Sequence, residues 1–268
     1  MTKIKSSRVL ITGGASGIGR LMGKKVLEKG GELIIWDLNG KKLKETQDQL
    51  KACGEVHAFE IDITKQQDVK ELAAKIKAEI GPVDILINNA GIVYGGNFHE
   101  STPDAINKTM AVNALAPMHL TQEFLPGMIS RKFGHICNIA SSAGLVSNPK
   151  MAIYAGSKWA CTGWSDSLRL EMKALKAGVH VTTVTPYYIN TGMFDGVKSF
   201  IPILKEEKVA SKVIKAIENN RIFLSMPWSM RFVRFSQGLF PIWFYDWFVG
   251  KVLGVYKTMD EFKGRNNN

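Results

Sequence analysis

The sequence predicts an α/β fold, a doubly wound parallel sheet with helices on both faces. Short apolar runs recur along the chain, patterns of helical period lie between them, and a glycine-rich turn joins the first run to the first helix. Alternation of this kind builds a parallel sheet whose ligands gather at the carboxyl ends of the strands. The whole chain, 1–268, reads as one domain. No linker, internal repeat or composition shift interrupts it before about residue 196.

The first run, Arg8-Val-Leu-Ile-Thr12, leads into Gly13-Gly-Ala-Ser-Gly17-Ile-Gly19. A helix follows with Leu21, Met22, Val26 and Leu27 as its apolar face, and a second strand, 32–37, ends in Asp37. This is a Rossmann-like βαβ unit, with glycines at its first turn and an acid closing its second strand. Glycines let backbone amides approach a pyrophosphate at the positive end of the helix. Thr12, Gly13, Ser16, Gly17, Ile18 and Gly19 are therefore candidate cofactor-binding residues. Asp37 is placed to accept hydrogen bonds from an adenosine ribose, and its charge opposes a 2′-phosphate, which favours NAD over NADP.

The later strands end on polar or small residues. Residues 56–61 run into Asp62, 83–88 into Asn89-Ala90-Gly91, 134–139 toward Ser141, and 179–184 into Pro186. Helices are expected over 68–79, 104–130 and 154–175.

The last of these helices opens with Tyr154-Ala-Gly-Ser-Lys158, and a spacing of four puts both side chains on one helical face. A free phenol titrates near pH ~10 and is a poor base at neutrality. A nearby ammonium, and a bound cationic ring, both favour the phenolate. A shift of about three units corresponds to roughly 4 kcal/mol of differential stabilisation. The pair reads as a general base for an alcohol, or as a surface pair on an amphipathic helix if taken alone.

Composition narrows the partners. Hydrophobic content of 45% and charged content of 22% suit a globular chain, while the formal net charge of +11 points to an anionic cofactor or surface. No Arg-rich tract or aromatic RNA-reading motif supports nucleic acid. Cys53, Cys137 and Cys161 are few and scattered, as in a reducing compartment, and the five histidines show no metal-ligand spacing, so no metal site is expected. The start, Met1 to Ser7, is polar and basic, with neither signal peptide nor apolar anchor, so the expected location is cytoplasmic.

Taken together, Thr12-Gly13-x-x-x-Gly17-x-Gly19, Asn88-Asn89-Ala90-Gly91, Asn113, Ser141 and Tyr154-x-x-x-Lys158 resemble the short-chain dehydrogenase/reductase pattern over about residues 8–195. The resemblance implies Tyr154 as the acid/base and Lys158 as the group that holds the nicotinamide ribose and lowers the phenol pKa. It implies Ser141 as the donor to the substrate oxygen and Asn113 as the holder of a relay water. It assigns Asp62 to the adenine, the backbones of Asn89 and Ile189 to the cofactor lining, and Thr191 to the carboxamide. Plainer roles exist for some of these: Asn113 could cap or bend its helix, Ser141 could bond its own backbone, and Asp62 could cap the next helix. The resemblance also implies a homodimer or homotetramer paired through helices 104–130 and 154–175.

After the strand ending at Val184 this chain reads Pro186-Tyr187-Tyr188, and it closes with Met259-Asp-Glu-Phe-Lys-Gly-Arg265. Both features are similar to the subgroup that holds the microsomal retinol dehydrogenases and some 17β-hydroxysteroid dehydrogenases. Residues 1–195 are thus expected to form the nucleotide-binding and catalytic core, and 196–268 a substrate lid with an aromatic, basic C-terminal extension. In residues 221–256, Phe223, Trp228, Phe232, Phe235, Phe240, Trp243, Phe244, Trp247 and Phe248 mix with Arg221, Arg231, Arg234 and Lys251. That mixture suits a peripheral segment in a headgroup layer, and equally a lid or a subunit interface. The expected function is NAD-dependent oxidation of a small apolar alcohol such as a retinoid, steroid or long-chain alcohol. The alternatives are carbonyl reduction by the same chemistry and a non-enzymatic NAD-binding protein on a membrane surface.

Overall fold

In β1 (Arg8–Thr12), Val9 and Ile11 pack on one side of the sheet and Leu10 on the other, all fully buried. The two-residue period of a strand buried on both faces accounts for this. β2 (Glu32–Asp37), β3 (Val56–Glu60), β4 (Ile85–Asn88), β5 (Gly134–Ile139), β6 (Val179–Pro186) and β7 (Phe223–Met226) complete one seven-stranded sheet. Its order is β3-β2-β1-β4-β5-β6-β7, and every pairing is parallel. The computed structural model describes residues 1–252 and 254–264, so Arg265 of the C-terminal motif lies outside the described residues.

Helices α1 (Gly17–Glu28), α2 (Gly40–Leu50), α3 (Gln66–Glu79), α4 (Pro103–Met110), α5 (Ala116–Ser130), α6 (Ala152–Ala174) and α7 (Glu206–Glu218) link the strands. α1, α2 and α7 cover the Val9 face, and α3, α5 and α6 cover the Leu10 face. This is the expected doubly wound arrangement with helices on both faces. Strand order reverses between β1 and β4, and a crevice opens beyond the strand ends at such a point.

The structure departs from the sequence expectations in four places. The single helix expected over 104–130 is α4 and α5 joined by one π-turn, Ala111–Leu115. Pro117 has no N–H to give the carbonyl of Asn113 four residues earlier, and the ladder widens there. α2 was not expected, because only Leu43, Thr46 and Leu50 of it are buried and the rest is polar. Its start is fixed by Asn39, whose side chain accepts from Lys42 N at 2.9 Å. The sheet also extends beyond residue 195. α7 packs on α1 with Val209, Val213, Ile214 and Ile217 buried, and β7 takes Phe223 out of the aromatic segment into the last strand.

The fourth difference concerns ligand spacing. Glu32, Glu55 and His57, far apart in sequence, come together at the N-terminal ends of β2 and β3. His57 Nε2 lies 3.2 Å from Glu32 and 3.3 Å from Glu55, while Arg8 Nε pairs with Glu32 at 2.8 Å. The cluster lies at the opposite end of the sheet from the crevice.

Beyond β7, α8 (Val233–Leu239), α9 (Ile242–Asp246) and a second π-turn, Trp247–Val252, wrap the open end of the sheet. The chain then folds back: Lys198 N donates to Thr258 O at 3.3 Å, Lys263 N donates to Asp195 O at 2.9 Å, and Met259 is buried. Leu115, Trp159 and Leu170 are exposed on or beside α5 and α6, the helices for which the resemblance implies subunit contact. Among the described residues, no helix is long and apolar enough to cross a membrane.

Candidate active site

The cradle is built at the ends of β1 and β4. The buried Thr12 hydroxyl accepts from the amides of Asn89 at 3.0 Å and Ala90 at 3.1 Å. The Asn89 amide group donates in return to Thr12 O at 2.9 Å and Gly13 O at 3.2 Å. These bonds hold the glycine turn against the β4 loop. Gly13 takes φ +64°, a region costly for other residues. At Gly19 a Cβ would overlap Gly13 O and come 2.7 Å from Asn89 Nδ2, so only hydrogen fits.

Ser16 precedes α1 in extended conformation, yet its side chain makes no capping bond, and no acid stands in the first turn. The leading amides of α1, including those of Gly17, Ile18 and Gly19, have no side-chain acceptor from the N-cap. Open donors at the positive end of a helix fit a pyrophosphate. Thr191 lies beside this mouth, its Cγ2 3.4 Å from where a Gly17 Cβ would be.

Asp37 accepts from Ala15 N and from Asn39 N, both at 3.0 Å, which holds its carboxylate at the rim of the cradle. Asp62 accepts from Thr64 N at 3.0 Å and Thr64 Oγ1 at 2.7 Å. Burial pushes the Asp62 pKa up, but Thr64, Lys65 and Lys108 together bring it below the usual value. It does not cap α3, whose N-cap position is Lys65. Ile189 turns its carbonyl to Thr191 N at 2.8 Å, within the loop that bridges to Leu204.

The reacting cluster sits over a buried polar network. Asn88 Nδ2 donates to Asn138 Oδ1 at 2.8 Å, Asn138 Nδ2 donates to Ser165 Oγ at 2.9 Å, and Ser165 and Thr183 hydroxyls meet at 2.7 Å. The network joins β4, β5 and β6 to α6 and so sets where α6 presents its first turn. Tyr154 and Lys158 are both buried there, with the Lys158 ammonium 5.8 Å from the centre of the Tyr154 ring. Lys158 Nζ donates to Ile139 O at 3.0 Å.

Ser141, just past β5, accepts from Ala143 N at 3.1 Å, which leaves its own O–H free to donate. Phe194 presses edge-on against the Tyr154 ring, with centroids 5.8 Å apart.

In the protein by itself, burial is the largest influence on the Tyr154 phenol. Burial pushes Tyr154 well above its usual value, Ser141 opposes the rise, and Tyr188 and Cys161 add to it. Desolvation of a phenolate outweighs a lysine whose ammonium is directed at Ile139 O. Burial likewise lowers the Lys158 pKa, with Cys161 acting against it.

Asn113 is buried in the π-turn. Its Oδ1 accepts from Ile92 N at 2.9 Å, and its Nδ2 donates to Ile92 O at 2.8 Å and Ser157 Oγ at 3.0 Å. Both amide hydrogens are committed to protein, so the side chain clamps the Ile92 backbone rather than presenting a donor to water. Its Oδ1 and the Lys158 ammonium nonetheless flank one point, 3.2 Å and 3.6 Å from a Cβ placed on Gly91.

Next to Ser141 lies a cavity of about 180 Å³. Its core-side wall holds Ala143, Met151, Tyr188 and Phe194, and its lid-side wall holds Met230, Val233, Tyr245 and Val249. The sequence does not single out Asn148, Met151, Phe194 or Tyr245. Their spacing carries no signal, because they meet only when 228–256 folds over the strand ends.

Comparisons agree with this geometry. A family described as short chain dehydrogenase matches residues 7–201. Epidermal retinol dehydrogenase 2 of Mus musculus is 37% identical over 264 residues, covering 96% of this chain and 85% of the relative. Estradiol 17-beta-dehydrogenase 11 of Homo sapiens is 37% identical, with 87% and 79% covered. A crystal structure of a short chain dehydrogenase/reductase from Burkholderia phymatum in complex with NAD has a TM-score of 0.82 at 26% identity, covering 89% of this chain and 95% of that one. A short-chain dehydrogenase from Sphingobium yanoikuyae in complex with NADPH shares the fold at 24% identity and TM-score 0.78, with 87% and 94% covered. The chain belongs to the short-chain dehydrogenase/reductase family, with retinol and 17β-hydroxysteroid dehydrogenases among its relatives, and is a nicotinamide-dependent oxidoreductase of the alcohol–carbonyl couple.

Proposed function

We propose that this protein oxidises an apolar alcohol (a retinoid, steroid or long-chain alcohol) with NAD. The observation that carries the reading is the buried Ser141–Tyr154–Lys158 cluster, of which Ser141 also lines a largely apolar cavity. A nicotinamide held beside this cluster would supply the hydride acceptor for the alcohol carbon. Tyr154 accepts the hydroxyl proton as the carbonyl forms, and Ser141 donates to the substrate oxygen and steadies its developing negative charge. Lys158, four residues on and on the same face, favours the phenolate once both are enclosed beside the cofactor. Asn113 keeps the Ile92 backbone beside Lys158, where a protein carbonyl could hold a water on the way to solvent. Thr12, Gly13, Ser16, Gly17, Ile18, Gly19 and Asn89 would cradle the pyrophosphate, Asp37 the adenosine ribose and Asp62 the adenine. Ile189 and Thr191 would meet the nicotinamide end. The same groups run carbonyl reduction in reverse, and the oxidised state of cellular NAD favours oxidation.

Asp37 supports NAD over NADP through its charge at the cradle rim. Asp37→Asn keeps one acceptor oxygen and removes the charge. The NAD-over-NADP ratio of kcat/KM should fall about tenfold or more, since a charge some 5 Å from a phosphate contributes a few kcal/mol in a partly screened site. An unchanged ratio in initial-rate assays would sink the assignment of Asp37.

The lid supports peripheral docking on a membrane surface. Its inner residues Met230 and Val249 are buried, while Trp228, Phe232, Phe235, Ile242, Trp243 and Trp247 stay exposed, Ile242 at 79% and Trp243 at 72%. Arg231, Arg234 and Lys251 accompany them. Apolar rings mixed with cations suit an anionic headgroup layer. Ile242→Asp with Trp243→Asp should weaken co-sedimentation with anionic liposomes by at least about 100-fold, from two side chains worth roughly 1.5–3 kcal/mol each. Turnover of a water-soluble alcohol should stay as it was. Equal sedimentation of variant and parent would remove the docking reading.

A further inference from the structure

Residues 258–263 form a strap that touches the loops following β4, β5 and β6. At the β4 loop a Cβ on Gly95 would come 2.6 Å from the Phe262 ring and 3.0 Å from Met259 Cε, so the strap crosses where the backbone is bare. At the β5 loop Lys150 pairs with Asp260 at 2.7 Å. At the β6 loop Lys198 pairs with Glu261, a Cβ on Gly196 would overlap Glu261 O, and the Phe262 and Phe194 ring centroids lie 6.4 Å apart. Phe194 in turn packs on Tyr188 at 5.0 Å and on Tyr154. The two ion pairs are partly or largely exposed and contribute little by themselves. The buried Thr258 hydroxyl and the Phe262 ring do more to seat the strap.

Thr258 is buried, at 2% exposure, and stands behind the cavity wall rather than in it. Its hydroxyl donates to Val255 O at 2.9 Å and accepts from Asn148 Nδ2 at 3.3 Å. With that one hydrogen spent, the 3.0 Å contact with Tyr188 Oη makes the phenol the donor. Asn148, Tyr188 and Val255 all line the cavity, so one hydroxyl ties together wall residues from three parts of the chain. We propose that Thr258 is a positioning residue, holding the Asn148–Tyr188 wall where a long apolar substrate needs it relative to the reacting cluster. The inference rests on the apolar-alcohol reading above and deepens it by naming what sets the shape of the cavity. A substrate long enough to lie along that wall is misplaced when the wall shifts, and its rate falls. A short alcohol held at Ser141 does not reach the wall.

The test measures initial rates with NAD on decan-1-ol and on propan-1-ol, in the full-length parent protein, Thr258→Val and Thr258→Ser. Thr258→Val keeps the side-chain shape and deletes the hydroxyl. Its kcat/KM for decan-1-ol should fall about tenfold or more, because small misplacements are amplified in rate. Its kcat/KM for propan-1-ol and its KM for NAD should stay at the parent values. Thr258→Ser, which keeps the hydroxyl, should recover most of the loss. A parental ratio of decanol to propanol activity in Thr258→Val, an equal loss on both alcohols, or no recovery in Thr258→Ser overturns the inference and leaves the dehydrogenase reading intact. Should Thr258→Val fold poorly, Phe262→Ala loosens the strap at its half-buried end and is judged by the same ratio. Absence of turnover of either alcohol by the parent defeats the alcohol-oxidation reading instead. Thermal shifts induced by decan-1-ol in the presence of NAD, compared between parent, Thr258→Val and Thr258→Ser, then decide the inference without turnover.

Discussion

Tyr154→Phe should lower turnover by on the order of 10²–10⁴-fold, the range that positioned proton transfer contributes. NAD affinity should change little. The substitution keeps the ring that packs at 5.8 Å against Phe194 and removes only the oxygen proposed to exchange the proton. The direction of the pH dependence follows from the same group. In oxidation the phenol must first be deprotonated, and burial holds its pKa above the usual value in the protein alone. Rates of alcohol oxidation should therefore rise with pH until the phenol of the working complex is ionised, while rates of carbonyl reduction fall as the proton to be donated is lost. Steady-state kcat/KM in both directions across pH 6–10 checks the pair of slopes. Retained turnover in Tyr154→Phe would sink the mechanism, and parallel slopes in the two directions would move the proton-transfer role to another group.

Gly19→Ala should remove NAD binding and lower stability together. A methyl there would overlap Gly13 O and crowd Asn89 Nδ2, the two groups that lock the β1 turn to the β4 loop. Overpacking of this kind costs about 1–3 kcal/mol. In a chain of this size that lowers the melting temperature by roughly 2–12 °C. Displacing the turn also spoils the aim of the α1 amides, so NAD titration by intrinsic fluorescence should detect no saturation in the range that saturates the parent. Gly163→Ala is the contrast. It lies in α6 with nothing within 4 Å of its Cβ position, and its melting temperature should hold or rise. Normal NAD binding by Gly19→Ala would show that the cradle is not where the cofactor sits.

The cradle and the reacting pair were legible before any coordinates because their chemistry is local. A glycine turn between a strand and a helix, an acid at the end of the next strand, and a tyrosine four residues from a lysine each state their geometry within one turn or one strand. Alternating apolar runs made the sheet legible in the same way, since each side chain's face follows from its parity along the strand. Where two local rules competed, the reading slipped. The 104–130 stretch has helical periodicity, and only the missing N–H of Pro117 turns its middle into a π-turn that lowers Asn113 onto Ile92. β7 has four residues, too few for a period to emerge beside so many aromatics.

Sequence alone thus determined the fold class and the cofactor class and singled out the proposed proton-transfer pair, because short-range covalent geometry decides them. Tertiary structure alone decided the ionisation of Tyr154, which depends on the water its neighbours exclude, and the commitment of the Asn113 amide, which depends on a backbone 21 residues away. It also decided the two-sidedness of the lid: Met230 and Val249 face inward while Ile242 and Trp243 face out. Short helices and turns set that choice only when they close over the strand ends, where burial of one face competes with burial of the other.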